Sequence, residues 1–312
     1  MNQSNIAQNI SLAELTTFKV GGPAKYFCVA KNAEDVIAAI NWAKENNQPI
    51  FVLADGSNVI ASENGFAGLV IRVGVDFLNT NMQVLEAGAA TSMKRLVDVS
   101  VANGLAGLEW AGGLPGSFGG AIRGNAGAFG GEIKDTITSI KSISTVSGEI
   151  VERDNEQCQF SYRDSIFKRL NNEIIISAKL QLTPGDAREL REIADSRIAY
   201  RQQKHPMEYP NSGSIFKNTP IENIPPDQLE QWQENIKNDP FPVVPTAKII
   251  ADSGLAGLKV GGAQLSTKHT NYIVNIGSAT GEDIFELIKK IRTEVFQRYG
   301  IELEVEPELV GF

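Results

Sequence analysis

The sequence contains few of the residues that build metal centres or disulfide frameworks. Its 312 residues include only two cysteines and two histidines. Cys28 and Cys158 lie 158 − 28 = 130 positions apart, without the close spacing of zinc ligands. The low histidine count excludes a histidine-rich metal site, and unpaired thiols are typical of a reducing cytosol. We therefore expect no metal and a cytoplasmic location.

The sequence also lacks an excess of positive charge and any long apolar run. Lysine and arginine total 29 and aspartate and glutamate total 37, so the formal net charge is 29 − 37 = −8. An acidic protein repels phosphate backbones, which argues against a general nucleic-acid-binding role. No apolar run approaches the roughly 20 residues that span a bilayer. The first positive charge, Lys19, does not introduce an apolar secretory core. We expect neither a nucleic-acid partner nor a membrane.

Two common nucleotide-binding fingerprints are missing. The GxGxxG pattern does not occur, and no Gly-Lys pair provides a P-loop. Glycine is instead concentrated in one segment, because 11 of the 29 glycines fall between Gly104 and Gly131. Within it, residues 112–120 read GGLPGSFGG, whose amide groups can turn inward around an anion and whose bare surface can accept a ring system. A purely structural turn is the alternative for this run taken alone.

A second turn follows a short apolar run at residues 50–54. Residues 55–58 read DGSN, and all four are turn formers. Open α/β sheets bind ligands at the carboxyl ends of their strands. We therefore interpret the amides of this turn and the Ser57 hydroxyl as a candidate pyrophosphate site, with an ordinary turn as the alternative.

Hydrophobic periodicity predicts a mixture of helices and strands. Amphipathic helices are predicted at residues 33–47, 91–103, 187–204 and 280–299, with a short helix at 227–237. Strands are predicted at residues 50–54, 68–75 and 174–182, with a hairpin over 133–151. The apolar stripe of helix 187–204 includes Leu190, Ile193, Ala194 and Ile198, and that of helix 280–299 includes Phe296. Pro184-Gly185 breaks the pattern and marks the predicted domain boundary.

Six short motifs occur in an order that resembles one known family. They are TFKVGGP at 17–23, LADGSN at 53–58, the run at 112–120 with NAGAFG at 125–130, YRDS at 162–165, GSIFKN at 213–218 and LEVE at 303–306. In order and approximate spacing the sequence resembles the UDP-N-acetylenolpyruvoylglucosamine reductases, flavin enzymes of peptidoglycan precursor synthesis. Each motif is weak alone, but six in order over nearly the whole chain are specific.

The resemblance implies a fold and a cofactor. It implies an α+β protein with a two-lobed FAD-binding domain of the vanillyl-alcohol-oxidase type and a smaller α+β substrate-binding domain. We place the first domain at residues 1–184, with lobes at 1–72 and 73–184, and the second at 185–312 with a proline-rich insertion at about 219–246. No histidine precedes His205, so a histidyl–flavin bond cannot form in the FAD-binding domain, and FAD is expected to bind noncovalently. NADPH is the expected co-substrate, and the protein is expected to be a monomer.

The resemblance also implies which residues contact the cofactor and substrate. Substrate contacts are expected from Tyr162, Arg163, Lys217 and Asn218, with Arg201, Gln202 and Lys268 as weaker candidates and His205 and His269 as structural residues. FAD contacts are expected from Val52, Leu53, Ala54, Asp55, Gly56, Ser57, Asn58, Gly112, Gly113, Pro115, Gly116, Ser117, Gly119, Gly120, Asn125, Ala126 and Gly127.

The implied reaction converts UDP-N-acetylglucosamine enolpyruvate into UDP-N-acetylmuramate. NADPH reduces the flavin, which then delivers hydride to the terminal methylene carbon and leaves an enolate-like intermediate. Arg163 is implied to bind the carboxylate, which its planar guanidinium matches in two hydrogen bonds. Ser214 is implied to be the proton donor and Glu306 the catalytic glutamate that stabilises the enolate.

Two departures from the family pattern concern the cofactor contacts. Ala54-Asp55 stands where the family usually has glycines, and Ile122-Arg123-Gly124 stands where methionine usually occurs. Because an aspartate repels a pyrophosphate, Asp55 is expected to point away or to bind a ribose hydroxyl. Two alternative functions stay open: another FAD-dependent oxidoreductase acting on a different sugar or alcohol, and a nucleotide-sugar-binding protein or transferase without redox chemistry.

Overall fold

The computed structural model describes residues 6–312, which form two compact units. Unit 1 comprises the described residues up to Ile10, together with Ala24–Asp55 and Phe66–Arg201. Unit 2 comprises Ser11–Pro23, Gly56–Gly65 and Gln202–Phe312. The sequence places the domain boundary after residue 184, whereas the compact units part after residue 201, and two N-terminal segments belong with unit 2.

Helices and strands are numbered along the chain. The helices are α1 Ala33–Glu45, α2 Met93–Ala102, α3 Phe118–Arg123, α4 Ile166–Leu170, α5 Ala187–Lys204, α6 Pro226–Leu229, α7 Thr246–Asp252 and α8 Gly281–Tyr299. The strands are β1 Ala7–Ser11, β2 Pro23–Ala30, β3 Ile50–Leu53, β4 Val59–Ala61, β5 Phe66–Val73, β6 Leu78–Asn81, β7 Val84–Gly88, β8 Leu105–Ala106, β9 Gly127–Ala128, β10 Gly131–Glu132, β11 Ile137–Ser144, β12 Ile150–Asp154, β13 Glu173–Gln181, β14 Thr183–Pro184, β15 Thr219–Pro220, β16 Lys237–Asn238, β17 Pro242–Val244, β18 Lys259–Val260, β19 Ala263–Leu265, β20 Ile273–Asn275 and β21 Glu308–Val310.

The first sheet of unit 1 has the strand order β1-β2-β5-β3, and both β2 and β3 run parallel to β5. Helix α1 connects β2 to β3 and begins after Asn32, whose Oδ1 accepts a hydrogen bond from the Asp35 amide at 2.7 Å. This side chain satisfies one of the amides that a helix start leaves unpaired. The helix predicted at 33–47 and the strands predicted at 50–54 and 68–75 are confirmed to within two residues.

The second sheet of unit 1 is antiparallel, with the order β12-β11-β13-β7-β6. Strands β11 and β12 form the hairpin predicted between residues 133 and 151. Alternation in β13 predicts burial of the face that carries Ile174 and Ile176, but Ile175 and Ser177 on the other face are buried as well. Strand β13 is paired with β11 and β7 along both edges, and α3 and α4 pack against it.

Helix α5 packs on unit 1 along a narrow stripe. Leu190 and Ala194 are buried as predicted, whereas Ile193 is 38% exposed, so the prediction for Ile193 is wrong. The stripe is narrow because α5 lies directly on the glycine segment: a Cβ atom on Gly112 would lie 2.3 Å from the Ala194 carbonyl oxygen. This packing explains why most of α5 belongs to unit 1 although it follows the Pro184-Gly185 break.

Unit 2 is organised around α8. Thr280 caps this helix, because its Oγ1 accepts from the Asp283 amide at 3.0 Å and Asp283 Oδ2 accepts from the Thr280 amide at 3.0 Å. The buried stripe comprises Ile284, Leu287, Ile288, Ile291 and Val295. Phe296 was predicted in this stripe and is 52% exposed, so that prediction is wrong. One residue beyond Val295, it is rotated by about 100° around the helix axis.

The proline-rich segment at 219–246 forms part of the core of unit 2. It contributes Trp232, which is fully buried, donates from Nε1 to Asp252 Oδ2 at 2.8 Å and packs edge-on against Tyr299. The short helix predicted at 227–237 corresponds to α6 and a 3-10 helix at Glu230–Asn235. Two small sheets, with orders β15-β17-β16 and β18-β19-β20, and a parallel pairing of β21 with β4 complete unit 2.

A pair of carboxyl groups joins the Gly56–Gly65 segment to the start of α8. The Gly281 amide donates to both oxygens of Glu63, at 2.8 and 2.9 Å, while Ser62 Oγ donates to Glu282 Oε1 at 2.5 Å. Burial and the hydrogen bond with Glu282 raise the pKa of Glu63, and the hydrogen bonds from Glu63 and Ser62 lower the pKa of Glu282 to about 2. The two carboxyl groups therefore favour sharing one proton.

We expect Glu63→Gln to stabilise the protein at pH 7. Because folding raises the pKa of Glu63, the stability that this group contributes is present below its unfolded pKa of about 4.3 and is lost as the pH rises through the folded value. The glutamine amide can donate to Glu282 at any pH, so the gain should be roughly 0.5 kcal/mol for this solvent-screened pair and should vanish below pH ~4. Urea unfolding of wild type and Glu63→Gln at pH 7 and below pH ~4 measures this gain.

Glu63→Ala should be less stable than Glu63→Gln, since it loses the bonds from Gly281. A Glu63→Gln variant less stable than wild type at pH 7 would contradict the prediction.

Candidate functional site

The glycine loop at 112–120 lies against the end of β3 within unit 1. Ser117 begins α3, and its Oγ accepts a hydrogen bond from the Gly120 amide at 3.4 Å. A Cβ atom on Gly120 would meet only Ala54 Cβ and Ser117 Oγ, both at 3.6 Å, which is ordinary contact distance. Gly120 therefore exposes a surface without a side chain beside Ala54. This surface fits a planar ring or a phosphate approaching the main chain.

The turn at residues 55–58 combines an ion pair with free amides. Asp55 Oδ1 lies 3.6 Å from Arg72 Nη2 in unit 1, which partly neutralises its charge. In unit 2, the Gly56 carbonyl accepts hydrogen bonds from the Thr17 amide at 3.1 Å and Thr17 Oγ1 at 3.3 Å. Within residues 6–312, the amides of Gly56 and Ser57 donate no hydrogen bond. Such amide donors suit the anionic oxygens of a diphosphate.

Gly56 cannot carry a side chain in this turn. Its φ is +63°, and a Cβ atom would lie 2.2 Å from the Leu15 carbonyl oxygen and 2.8 Å from Thr16 Cα. We expect Gly56→Ala to lower the free energy of unfolding by at least about 2 kcal/mol. Gly254 is the matched control, because its φ is +72° but no described atom lies within 4 Å of an added Cβ. Gly254→Ala should cost only about 1–2 kcal/mol, the left-handed strain alone. Equal losses in urea unfolding of the two variants would show that the contact with residues 15–16 does not matter.

Arg163 occupies a strained position at the tip of a tight turn in unit 1. Ser161 and Asp164 exchange backbone hydrogen bonds of 3.1 and 3.2 Å, which places Tyr162 and Arg163 between them. The φ of Arg163 is +55°, a conformation that turns usually assign to glycine or asparagine. Its Nη2 donates to the Gly127 carbonyl at 2.8 Å, and its guanidinium lies 5.1 Å from the centre of the Tyr162 ring. Strain of this kind, held in place by its surroundings, is typical of functional residues.

Asn125 ties the Arg163 turn to the glycine segment. It is fully buried, its Nδ2 donates to the Ser161 carbonyl at 2.9 Å, and its Oδ1 accepts from the Lys134 amide at 3.2 Å. Ser165 Oγ adds a bond to the Arg123 carbonyl at 2.7 Å. These contacts bring Tyr162 and Arg163 together with residues 125–127, as the shared site predicted from sequence requires. The predicted contact of Asn125 with FAD stays a prediction, and its side chain has this positioning role in unit 1.

Ser214 and Glu306 lie on adjacent chain segments of unit 2. Phe216 and Val305 form an antiparallel bridge, and the Glu306 amide donates to the Ile215 carbonyl at 2.9 Å. Both Ser214 and Glu306 are partly exposed. The turn at residues 56–58 reaches the same region, because the Glu308 amide donates to the Asn58 carbonyl at 3.0 Å. Unit 2 therefore brings together two of the three predicted catalytic residues and three of the four residues of the second turn.

The two substrate-contact candidates after Ser214 have partners within unit 2. Lys217 Nζ lies 2.5 Å from Glu304 Oε1, and Asn218 Oδ1 accepts from the Thr246 amide at 3.3 Å. The ion pair holds the lysine side chain in place, and a diphosphate would have to compete with Glu304 for its charge. The predicted roles of both residues in substrate binding stay predictions.

The weaker candidates divide between the two units. In unit 1, Arg201 Nε donates to the Gly112 carbonyl at 3.1 Å and its guanidinium lies 5.5 Å from the centre of the Phe129 ring. In unit 2, Lys268 Nζ donates to the Gln202 carbonyl at 3.0 Å. Arg201 thus stays beside the glycine loop, whereas Gln202 and Lys268 contact each other at the start of unit 2.

The two histidines form an aromatic cluster with Tyr272 in unit 2. Ring centres lie 4.8–5.2 Å apart, and Tyr272 Oη and His205 Nδ1 are 3.1 Å apart. Burial lowers the pKa of His269. The lowered pKa favours the neutral form of His269, and the packing of both rings against Tyr272 supports their interpretation as structural residues.

The remaining reactive side chains are buried. Burial raises the pKa of the Cys28 thiol to about 11 and that of Cys158 to about 12, so both thiols stay protonated at neutral pH. Over residues 6–312, no group of three or more His, Cys, Asp or Glu side chains is arranged to hold a metal ion. In the same range, no helix has the length and apolar content needed to cross a bilayer.

Sequence reasoning missed two residues of the site region. Asn271 holds the segment after Ser214, because its Oδ1 accepts from the Phe216 amide at 2.9 Å and its Nδ2 donates to the Phe216 carbonyl at 2.7 Å. Glu132 is buried beside Gly127: a Cβ atom on Gly127 would lie 2.7 Å from Glu132 Cγ. One sequence signal points to Glu132: it is a charged residue that directly follows the glycine-rich segment 104–131, which contains only two other charged residues. No sequence signal marks Asn271.

Comparisons with known proteins agree with the resemblance. Residues 205–310 match the family model of the UDP-N-acetylenolpyruvoylglucosamine reductase C-terminal domain, and residues 24–154 match that of an FAD binding domain. The UDP-N-acetylenolpyruvoylglucosamine reductase of Clostridium novyi is 35% identical, covering 100% of this chain and 94% of its own length. That of Solibacter usitatus is 34% identical, covering 98% and 97%.

A solved structure supports the predicted two-lobed FAD-binding fold with a C-terminal domain. The crystal structure of UDP-N-acetylenolpyruvylglucosamine reductase from Thermus caldophilus is similar with a TM-score of 0.77 and 27% sequence identity, covering 97% of this chain and 98% of that one. The predicted fold class is confirmed. Because the sequence similarity extends over at least 94% of the length of these relatives at 34–35% identity, this chain belongs to the UDP-N-acetylenolpyruvoylglucosamine reductase family.

Proposed function

We propose that this protein reduces UDP-N-acetylglucosamine enolpyruvate to UDP-N-acetylmuramate with NADPH, a step of peptidoglycan precursor synthesis. The observation that carries the proposal is the match to reductases of this name over the whole chain, including both the FAD binding domain and the C-terminal domain. The proposal includes a cytoplasmic monomer that acts on small molecules.

The residues of both turns fit FAD. The side-chain-free surface at Gly120 suits a part of the cofactor that approaches the main chain, and the amides of Gly56 and Ser57 suit its diphosphate. No described histidine lies in unit 1, which supports noncovalent binding. When bound, FAD reduced by NADPH supplies hydride to the enolpyruvyl double bond.

Arg163 is proposed to bind the carboxylate of the enolpyruvyl group. A guanidinium remains charged at any working pH and offers parallel N–H donors to both carboxylate oxygens. Arg163 Nη2 donates a hydrogen bond of 2.8 Å to the Gly127 carbonyl, and this bond fixes the direction of the side chain. This preorganisation matters because charge builds up on the carboxylate as the enolate forms, and donors already in place stabilise it without reorganising.

Ser214 and Glu306 are proposed to manage protons on the enolate. A serine hydroxyl is a weak acid, but it can protonate a strongly basic carbanion and regain its proton from water. The Glu306 amide donates to the Ile215 carbonyl at 2.9 Å, which holds the glutamate next to the segment that carries Ser214. Asn271 fixes Phe216, the next residue of that segment. Glu306 is proposed to stabilise the enolic form by hydrogen bonding.

Turnover by the purified protein tests the proposal. We expect a yellow protein that absorbs near ~450 nm and oxidises many equivalents of NADPH per flavin only when the enolpyruvyl substrate is added, with a product heavier by two hydrogens. NADPH oxidation with a different sugar or alcohol, but not with this substrate, would indicate another oxidoreductase of the superfamily. A colourless protein that does not bind added FAD would indicate a nucleotide-sugar-binding protein or transferase.

A further inference from the structure

Glu132 carries a buried carboxylate oxygen that has no donor among residues 6–312. The residue is 6% exposed, and its Oε2 lies 2.5 Å from Lys134 Nζ. Its Oε1 accepts no hydrogen bond within the described chain. Leaving a buried acceptor unsatisfied costs about 1–3 kcal/mol, and more when it is charged. An oxygen in this state is therefore a candidate for a bond to a group from outside the chain.

The position of Glu132 places its side chain beside two predicted parts of the site. Glu132 pairs with Gly127 across the β9–β10 hairpin. A Cβ atom on Gly127 would lie 2.7 Å from Glu132 Cγ and 3.4 Å from Arg163 Nη1. The Gly127 carbonyl also accepts the bond from Arg163. Glu132 thus lies within unit 1 next to the segment at 125–127, which is expected to contact FAD.

The hairpin leaves Glu132 little freedom to turn away. Asp135 Oδ2 accepts a hydrogen bond from the Glu132 amide at 2.8 Å, and the Ile133 amide donates to the Ala126 carbonyl at 2.9 Å. The glycine next to it, Gly131, packs directly on Trp110, because a Cβ atom there would lie 2.4 Å from that ring. The backbone on both sides of Glu132 is therefore held, and the ion pair with Lys134 Nζ holds one oxygen of its carboxylate.

We propose that Glu132 is a cofactor-binding residue whose Oε1 accepts a hydrogen bond from bound FAD. The inference rests on the proposed function, since it takes FAD as the occupant. FAD offers two kinds of neutral donor near its ring, the N3–H group and the ribityl hydroxyls. Either forms a charge-assisted hydrogen bond with a carboxylate, which is about twice as strong as a neutral one. A carboxylate beside the ring also disfavours negative charge on the reduced flavin.

Binding of FAD to the apoprotein tests this role. Fluorescence quenching should give a Kd for Glu132→Gln that is roughly 10- to 100-fold higher than that of wild type, as expected for weakening one charge-assisted bond. The matched control is Glu173→Gln, which alters an equally buried carboxylate of unit 1 that Arg153 and Ser142 fully satisfy. The control should unfold at a lower urea concentration and bind FAD like wild type. If Glu132→Gln does not fold, Glu132→Asp provides the same comparison.

Two further measurements separate the donors and the possible failures. N3-methyl FAD lacks the N3–H donor. If N3–H is the donor, wild type and Glu132→Gln should bind N3-methyl FAD with equal Kd values. If a ribityl hydroxyl is the donor, wild type should still bind it more tightly than Glu132→Gln. In the first case, the midpoint potential of the flavin should rise in Glu132→Gln because a negative charge is removed. Glu132→Gln with an unchanged Kd overturns the role of Glu132 while leaving the proposed function intact. Wild-type apoprotein that binds no FAD overturns both.

Discussion

Replacing Ser214 with alanine should slow the reduction of the enolpyruvyl substrate by roughly 10²–10⁴-fold, the range for loss of a proton-transfer group. Reduction of the flavin by NADPH requires no proton from this hydroxyl and should proceed at the wild-type rate. The prediction therefore concerns a difference between the two half-reactions, and stopped-flow absorbance of the flavin measures both in one protein.

Ser253 provides the matched control for this substitution. It lies in the same unit, and its Oγ donates to the Ile249 carbonyl at 2.9 Å at the end of α7. Its hydroxyl is therefore satisfied within the chain, so Ser253→Ala should react like wild type in both halves. If Ser214→Ala slows both half-reactions equally, Ser214 has a structural role and the proposed proton transfer is wrong.

Replacing Arg163 with lysine should lower kcat/KM for the enolpyruvyl substrate by roughly 10²-fold or more. Lysine keeps the charge but cannot offer two parallel donors to a carboxylate, and losing one charge-assisted hydrogen bond costs about 1.5–3 kcal/mol. The bond to the Gly127 carbonyl that aims the side chain is also lost. Steady-state kinetics measure the loss, and flavin reduction by NADPH should stay unchanged.

Arg153→Lys makes the same chemical change at a structural ion pair. Arg153 binds Glu173 through Nη2 at 2.5 Å and Nε at 3.1 Å, in the antiparallel sheet of unit 1. The pair holds the pKa of Glu173 below its usual range against the opposing effect of burial. Arg153→Lys should lower stability and spare kcat/KM, the reverse of Arg163→Lys. Equal activity in Arg163→Lys and wild type would rule out carboxylate binding by Arg163.

Local signals predicted the long helices well. Asn32 and Thr280 mark the starts of α1 and α8, and both side chains make the expected capping bonds. The failures at Ile193 and Phe296 have one cause: periodicity shows which residues are apolar, but the width of the buried stripe depends on what packs against the helix. For α5 that partner is a glycine loop some 80 positions earlier, which leaves room for a narrow contact only.

The interleaving of the two units had no local signal. Strand β4 in the Gly56–Gly65 segment pairs in parallel with β21 near the end of the chain. Each strand has three residues, too few for periodicity to predict a partner. The resemblance to a family, rather than the residue pattern, identified Ser214 and Glu306, and the bridge between Phe216 and Val305 that joins their segments was not predictable from composition.

The strained conformation of Arg163 was equally hidden in the sequence. Turn rules assign glycine or asparagine to a position with φ of +55°, so an arginine there contradicts the local preference. The contacts of Asn125 with Ser161 and Lys134 hold this turn, and they connect residues that lie far apart in sequence. Local rules fail here because long-range contacts maintain a conformation that the turn alone would not adopt.

An anaerobic half-reaction tests the proposed chemistry most directly. The holoprotein is reduced with one equivalent of NADPH, UDP-N-acetylglucosamine enolpyruvate is added in increments, and absorbance near ~450 nm is followed. We predict that each molecule of added enolpyruvyl substrate reoxidises one flavin and yields one molecule of UDP-N-acetylmuramate. A reduced flavin that persists in the presence of excess enolpyruvyl substrate would contradict the proposal that this protein transfers electrons from NADPH to that double bond.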